Sequence, residues 1–158
     1  MENPTEKIRE LLKKFDTAML VTQGHGRPMG IAEVSENGDV WFFTARDTAK
    51  VHEIQQNEKV LIICQNDHAR YLSLAGHADL ISDRNKAKEL WKESYKTWFP
   101  GGAEDRDLLL IRVRPHEVEF WDNSGFKGAK YLFEAAKAYV TGTRPDVHDP
   151  NQHGKVNL

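Results

Sequence analysis

The sequence predicts a mainly β fold of the α+β class, a closed or partly split antiparallel barrel with helices at its periphery. Three observations carry this. Six or seven short β-type runs are joined by tight turns, which favours antiparallel neighbours. Helical segments are inserted between some of the runs and do not alternate with all of them, which argues against a doubly wound parallel sheet. Finally, 158 residues suit one domain, large enough to bury roughly 70% of its unfolded surface.

A helix opens the chain, with Ile8, Leu11, Leu12 and Phe15 at i, i+3, i+4 and i+7, Asn3 as N-cap and Pro4 at the first helical position. β-type runs follow at Ala18–Thr22, Pro28–Val34 and Val40–Thr44, separated by turns at Gly24-His25-Gly26 and Glu36-Asn37-Gly38-Asp39. A short helix carries Lys50 in its first turn, and the Val60–Gln65 run comes next. A long strand over Ala69–Ile81 places Leu72, Leu74, Ala78 and Leu80 on one face, with Gly76 at its break. Asp83 caps a helix whose Ala87, Leu90, Trp91 and Tyr95 make one stripe. Two last runs, Leu108–Val113 and Glu117–Trp121, are expected to turn at Pro115-His116. The chain divides into a domain over 1–141 and a tail over 142–158, rich in Gly, Pro and polar residues, expected as an extended or flexible arm.

Composition excludes several classes. A net charge of -2 leaves no global footprint for nucleic acid or an anionic membrane. No apolar run approaches the ~20 residues that span a bilayer. The N-terminus is charged from Glu2 onward, unlike a signal peptide, and the single Cys64 sits in an apolar run, so a reduced cytoplasmic setting is expected. Desolvation by Ile62 and Ile63 would leave that thiol inert. Gly24, Gly26 and Gly30 lack the spacing of a dinucleotide loop and lead into a strand, so a hairpin is the better account. Seven histidines and one cysteine give no metal spacing; His148 and His153 lie in the tail. No Ser-His-Asp set or G-x-S-x-G elbow is present.

The most informative stretch is VWFFTARDTAK, Val40 to Lys50. An apolar run stops at Thr44, a polar turn follows, and Lys50 stands in the first turn of a helix. A strand-end hydroxyl, unpaired helix amides, the positive end of the helix dipole and a full cationic charge suit a phosphate monoester. A polar connection with a solvated lysine is the plain alternative. Arg27 opens the strand beside the one ending at Thr44 and could reach the same anion. Trp98-Phe99-Pro100-Gly101-Gly102 and the strand-ending Trp121 suit stacking on a flat ring, or packing between subunits.

The order Arg27-Pro28-Met29, WFFT with Lys50 six residues past Thr44, YLSLAGHADLISD, WFPGG and VEFWD resembles the pyridoxamine 5′-phosphate oxidase-like split barrels, and among them the general stress protein subgroup of FMN-binding proteins. The resemblance runs from about Ile8 to the tail. It implies a six-stranded antiparallel split β-barrel that forms a homodimer, with FMN (FAD being the alternative) in each groove between subunits. Carried over by position, Arg27 and Lys50 would bind the flavin phosphate with Thr44, Thr48 and Ala49. The backbone around Met29, Gly30 and Ile31 and the strand reaching Phe43 would line the ring, and Trp98 and Trp121 would come from the partner subunit.

Departures from the oxidase pattern bear on activity. The oxidase carries a substrate-phosphate Lys five residues past the first Arg, where this chain has Ala32, and closes its pocket with a C-terminal Arg and His that the tail does not match. Neighbouring Glu33, if it faced the groove, would repel a substrate anion. The chain is therefore expected to hold flavin without being a pyridoxamine 5′-phosphate oxidase. Two functions stay open: a flavin-dependent oxidoreductase of an unknown small substrate, with His25 and Arg46 near the site, or a non-catalytic flavin reservoir or redox sensor. Haem binding is disfavoured because no axial His is identifiable.

Overall fold

The computed structural model describes residues 3–144 and 153–158. Helix α1 spans Pro4–Leu12; the Asn3 side chain accepts from the Thr5 amide at 3.0 Å, Pro4 sits in the first turn, and Ile8, Leu11 and Leu12 are buried. Strands β1 (Thr17–Thr22) and β2 (His25–Gly30) form a hairpin whose two turn residues, Gln23 and Gly24, both have positive φ (45° and 80°), matching the twist of the strands. The chain continues through β3 (Glu33–Val34), β4 (Val40–Ala45), α2 (Ala49–Gln56), β5 (Lys59–Gln65), β6 (Arg70–Ile81) and α3 (Arg84–Leu90). Two 3₁₀ turns, Glu93–Thr97 and Gly102–Glu104, precede the long β7 (Leu108–Asp122), then α4 (Gly125–Thr141) and β8 (His153–Asn157).

All strand pairs are antiparallel, in the order β2-β1-β5-β6-β7-β4-β3. The β8 strand pairs the C-terminal part of β7, beyond the stretch taken by β4. The two end strands of this order, β2 and β3, are separated by Ile31 and Ala32 alone. The Ile31 amide bonds back to the Asp16 carbonyl at 2.9 Å, and the Ala32 amide bonds forward to that of Trp41 at 2.8 Å. A sheet whose two ends are joined by two residues must curl on itself, and the result is a split barrel. The expected strand over 28–34 is thus cut in two where the chain changes partner.

The architecture agrees with the predicted class, but with eight strands where six were expected. Leu108–Asp122 is one strand, with no turn at Pro115-His116. The register instead slips there: Pro115 pairs Gly76 and Glu117 pairs Ala75, leaving His116 as the extra residue of a bulge. A bulge tolerates the amide that proline lacks. Gly76 faces this bulge so closely that a Cβ would lie 2.6 Å from the Arg114 carbonyl oxygen. Gly76→Ala is expected to cost about 1–3 kcal/mol through forced backbone movement, read as a lower denaturant midpoint; an unchanged midpoint would refute the close approach.

Two clusters hold the fold. Inside the barrel lie Ile8, Leu12, Leu20, Phe42, Ile62, Leu74 and Val113, among others. On the opposite face of β4, Trp41 and Phe43 pack with Ala87, Leu90, Phe99 and Leu110. Burial of β4 from both sides explains its unbroken apolar run. The expected helix from Asp83 ends at Leu90, yet Trp91 and Tyr95 still reach Phe43, at 6.1 and 4.8 Å between ring centroids. Cys64 is fully inside, and burial pushes its thiol up to about 12, as expected of an inert core cysteine.

Candidate functional site

A cleft of about 640 Å³ opens where β2, the end of β4 and the start of α2 meet the 3₁₀ turn after α3. Met29 and Gly30 of β2, Phe43 and Thr44 of β4, Thr48 and Lys50 at the start of α2, and Tyr95 and Trp98 of the 3₁₀ segment line it. The sequence-predicted residues Met29, Gly30, Phe43, Thr44, Thr48, Lys50 and Trp98 are therefore brought together, and Ala49 adjoins them at the first residue of α2. Thr44 is buried at the strand end. The Thr48 hydroxyl donates to the Ala45 carbonyl at 3.1 Å and makes no cap bond, so the first amides of α2 are left to another acceptor.

Lys50 is partly buried, and burial together with the charge of Arg27 holds its amine below the usual lysine range. Among the described residues no carboxylate forms an ion pair with it. Among the lining aromatics Tyr95 and Phe43 are tilted against each other, burial raises the Tyr95 phenol and keeps it protonated, and Trp98 is 79% exposed.

The predicted phosphate ligand Arg27 is not itself among the cleft-lining residues but adjoins Pro28, which is, and its guanidinium is engaged. Its guanidinium donates to the Thr22 hydroxyl and to Glu53, the latter at 3.1 Å, while Thr22 donates to the same carboxylate. His25 contacts the other Glu53 oxygen through Nδ1 at 2.8 Å. The Thr22 hydroxyl above all, then His25 and Arg27, hold the Glu53 carboxyl down to about 2. Sequence reasoning missed Glu53, Thr22 and Tyr95. For Glu53 the available signal was its place one turn beyond Lys50 on the same helix face.

Other candidates lie elsewhere. Trp121 is on a separate part of this chain, near Leu11 and Tyr71, with its ring stacked on His153 at 5.3 Å. Arg46 points away from the cleft, donating to Ser82 at 2.7 Å and to the Arg106 carbonyl at 2.8 Å. Glu33 does not face the groove as an uncompensated charge, because Lys86 meets it at 2.9 Å. Among the described residues no three His, Cys, Asp or Glu side chains gather to hold a metal ion; His148 lies outside them. No helix of the described residues is long and apolar enough to cross a membrane.

The fold and cleft define a split-barrel protein whose site is lined by a lysine, threonine hydroxyls and aromatic side chains. The family profile described as pyridoxamine 5′-phosphate oxidase like matches residues 3–146, and the chain belongs to that family. Solved structures that it resembles include proteins described as general stress proteins. A general stress protein 26 from Jannaschia sp. CCS1 is 26% identical with a TM-score of 0.74, the match covering 98% of each chain. The general stress FMN/FAD binding protein from Xanthomonas citri is 26% identical, with a TM-score of 0.65 over 77% of this chain and 89% of that one. The general stress protein 26 from Bacillus anthracis, 22% identical with a TM-score of 0.65 over 77% of this chain and 95% of that one, shares the fold. No curated protein sequence matches this chain.

Proposed function

We propose that this protein binds FMN in the cleft and acts as a flavin-dependent oxidoreductase on a small substrate. One observation carries the reading: Lys50 is partly buried, crowded by Arg27 and without a carboxylate partner among the described residues. Arg27 already has its counter-ion in Glu53, so Lys50 is the cation left at partial burial without an anion among the described residues, and a ligand anion would relieve that cost. Free amides at the start of α2 point to a phosphate, and the aromatic side chains lining the cleft point to a flat ring. FMN has both parts, and the Xanthomonas citri relative is described as binding FMN/FAD. In this chain Lys50, Thr44 and the α2 amides would hold the phosphate, while Phe43, Tyr95 and the Met29–Gly30 backbone would orient the ring and exclude water. A bound flavin supplies hydride or electron transfer by itself. Quenched or shifted flavin fluorescence on titration tests the assignment, and no binding at tens of micromolar FMN would sink it.

A non-catalytic flavin reservoir or redox sensor is the second reading, favoured by one finding. His25 and Arg46, the side chains offered for a substrate, are engaged with Glu53 and with Ser82. Reduction of bound flavin by NADH or NADPH, and its reoxidation by candidate acceptors, separates the two.

The reading includes a homodimer in the cytoplasm. Met19, Leu61, Ile63 and Tyr71 are each about 40% exposed on the outer face of the adjoining strands β1, β5 and β6, with Met19 opposite Ile63. Neighbouring apolar side chains on one sheet face suit a second copy, and obligate interfaces bury ~2,000 Å² or more. Sedimentation is expected to give a dimer that Ile63→Glu dissociates. A folded wild-type monomer with full flavin stoichiometry would contradict a site shared between chains.

A further inference from the structure

We propose that Glu53 is a positioning residue of the phosphate cradle: with Thr22, it holds the Arg27 guanidinium against α2 one helical turn from Lys50, so that an incoming phosphate meets two cations already in place. The inference rests on the flavin reading and deepens it. Arg27 and Lys50 belong to different elements, β2 and α2, and repel one another. A long arginine left to itself would gain rotamer freedom and hydration by swinging into solvent.

The structure supplies a counterforce at that point. Thr22 is fully buried at the end of β1, and its hydroxyl accepts from Arg27 Nη1 while donating to Glu53 Oε2. The same Oε2 takes Arg27 Nη2 at 3.1 Å, which fixes the guanidinium at two points. The Glu53 side chain is only 14% exposed, so water competes weakly for it. His25 Nδ1 meets Oε1 at 2.8 Å, and Gln23 Nε2 donates to the Glu53 carbonyl at 3.2 Å and to Gln56 at 3.1 Å. The β1–β2 turn is thereby docked on α2, one helical turn from Lys50.

A strut that merely stabilised the hairpin would serve every ligand of the cleft equally. A positioning role serves the phosphate alone. The test compares FMN with riboflavin, the same ring without the phosphate, by fluorescence titration of the full chain. Glu53→Ala is expected to weaken FMN about ten-fold while riboflavin changes by less than about two-fold. Glu53→Gln, whose amide oxygen still accepts from Thr22 and Arg27, is expected to retain most of the FMN affinity. Thr22→Val, nearly isosteric and lacking the bridging hydroxyl, is expected to follow Glu53→Ala and carries the test should that variant not fold. Equal losses for both ligands would reduce Glu53 to a strut and overturn the proposal. Unchanged or tighter FMN binding in Glu53→Ala and Thr22→Val would overturn it as well, while leaving the flavin reading standing. Wild-type protein that binds neither ligand would overturn the flavin reading, and this proposal with it.

Discussion

Lys50→Ala is expected to weaken FMN binding about ten- to a hundred-fold, one strong charge-assisted contact at roughly 1.4 kcal/mol per decade. The fold should survive the change and even gain slightly, because the lysine is held below its ordinary pKa by burial and by Arg27. A group whose charged form is disfavoured in the folded chain opposes folding while charged, so its removal relieves that cost. Affinity and stability thus move in opposite directions, which distinguishes a binding residue from a structural one. The same shift sets a pH dependence. FMN affinity should decline on the alkaline side as Lys50 loses its proton, starting below the ordinary value of 10.5, and Lys50→Arg should remove that decline. An unchanged dissociation constant in Lys50→Ala would place the phosphate elsewhere.

Much of the barrel was legible because its strands are short runs of apolar and β-branched residues between turn signals. On β5, Val60, Ile62 and Cys64 point in while Leu61 and Ile63 point out, but all five are apolar, so the run marked the strand while the sequence hid which face is buried. Elements the sequence concealed have identifiable reasons. Along α4, Leu132, Phe133, Tyr139 and Val140 recur at helical spacing, yet among the described side chains all four are exposed, so this stripe is not buried against the barrel in the way a core-facing helix would be. Pro115-His116 has the composition of a turn, and the β6 partner alone turns it into a bulge. β8 emerges from polar sequence because the second half of β7, paired with β6 on one edge, is left open by β4 on the other, and backbone pairing there places no demand on hydrophobicity.

The cleft was legible where it is local. Thr44, Thr48 and Lys50 lie within seven consecutive residues, and a strand-turn-helix passage fixes their relation without reference to the rest of the chain. The supports of Arg27 were not legible, because Arg27 and Glu53 lie 26 residues apart and meet only when the hairpin folds over α2. Arg46 shows the opposite error. It sits between predicted site residues in sequence, yet the chain leaving β4 turns it toward Ser82 and the loop before β7.

This protein is expected to show no appreciable pyridoxamine 5′-phosphate oxidase turnover even when loaded with FMN. A substrate phosphate needs a cationic pocket apart from the one that Lys50 gives the flavin phosphate. Ala32 occupies the position that would supply it. Its side chain has no donor, its amide is spent on the Trp41 carbonyl at 2.8 Å, and it packs toward the Trp41–Phe43 cluster. The nearby Lys86 cannot substitute, since Glu33 at 2.9 Å and Glu89 at 3.4 Å neutralise it over the Trp41 ring. Within the described tail, His153 is committed to Glu119 at 3.0 Å and to the Trp121 ring. Losing two charge-assisted contacts at roughly 1.5–3 kcal/mol each lowers transition-state binding by about two to four powers of ten. Ala32→Lys alone should not restore turnover, because a lysine there would compete for Glu33, and the nearby Lys86, held by Glu33 and Glu89, leaves no free second cation to complete the pocket. Pyridoxal 5′-phosphate formation from pyridoxamine 5′-phosphate in air reads the outcome. Turnover of about one per second, ordinary for an enzyme, would mean that this cleft binds a second phosphate through groups other than Ala32 and its neighbours.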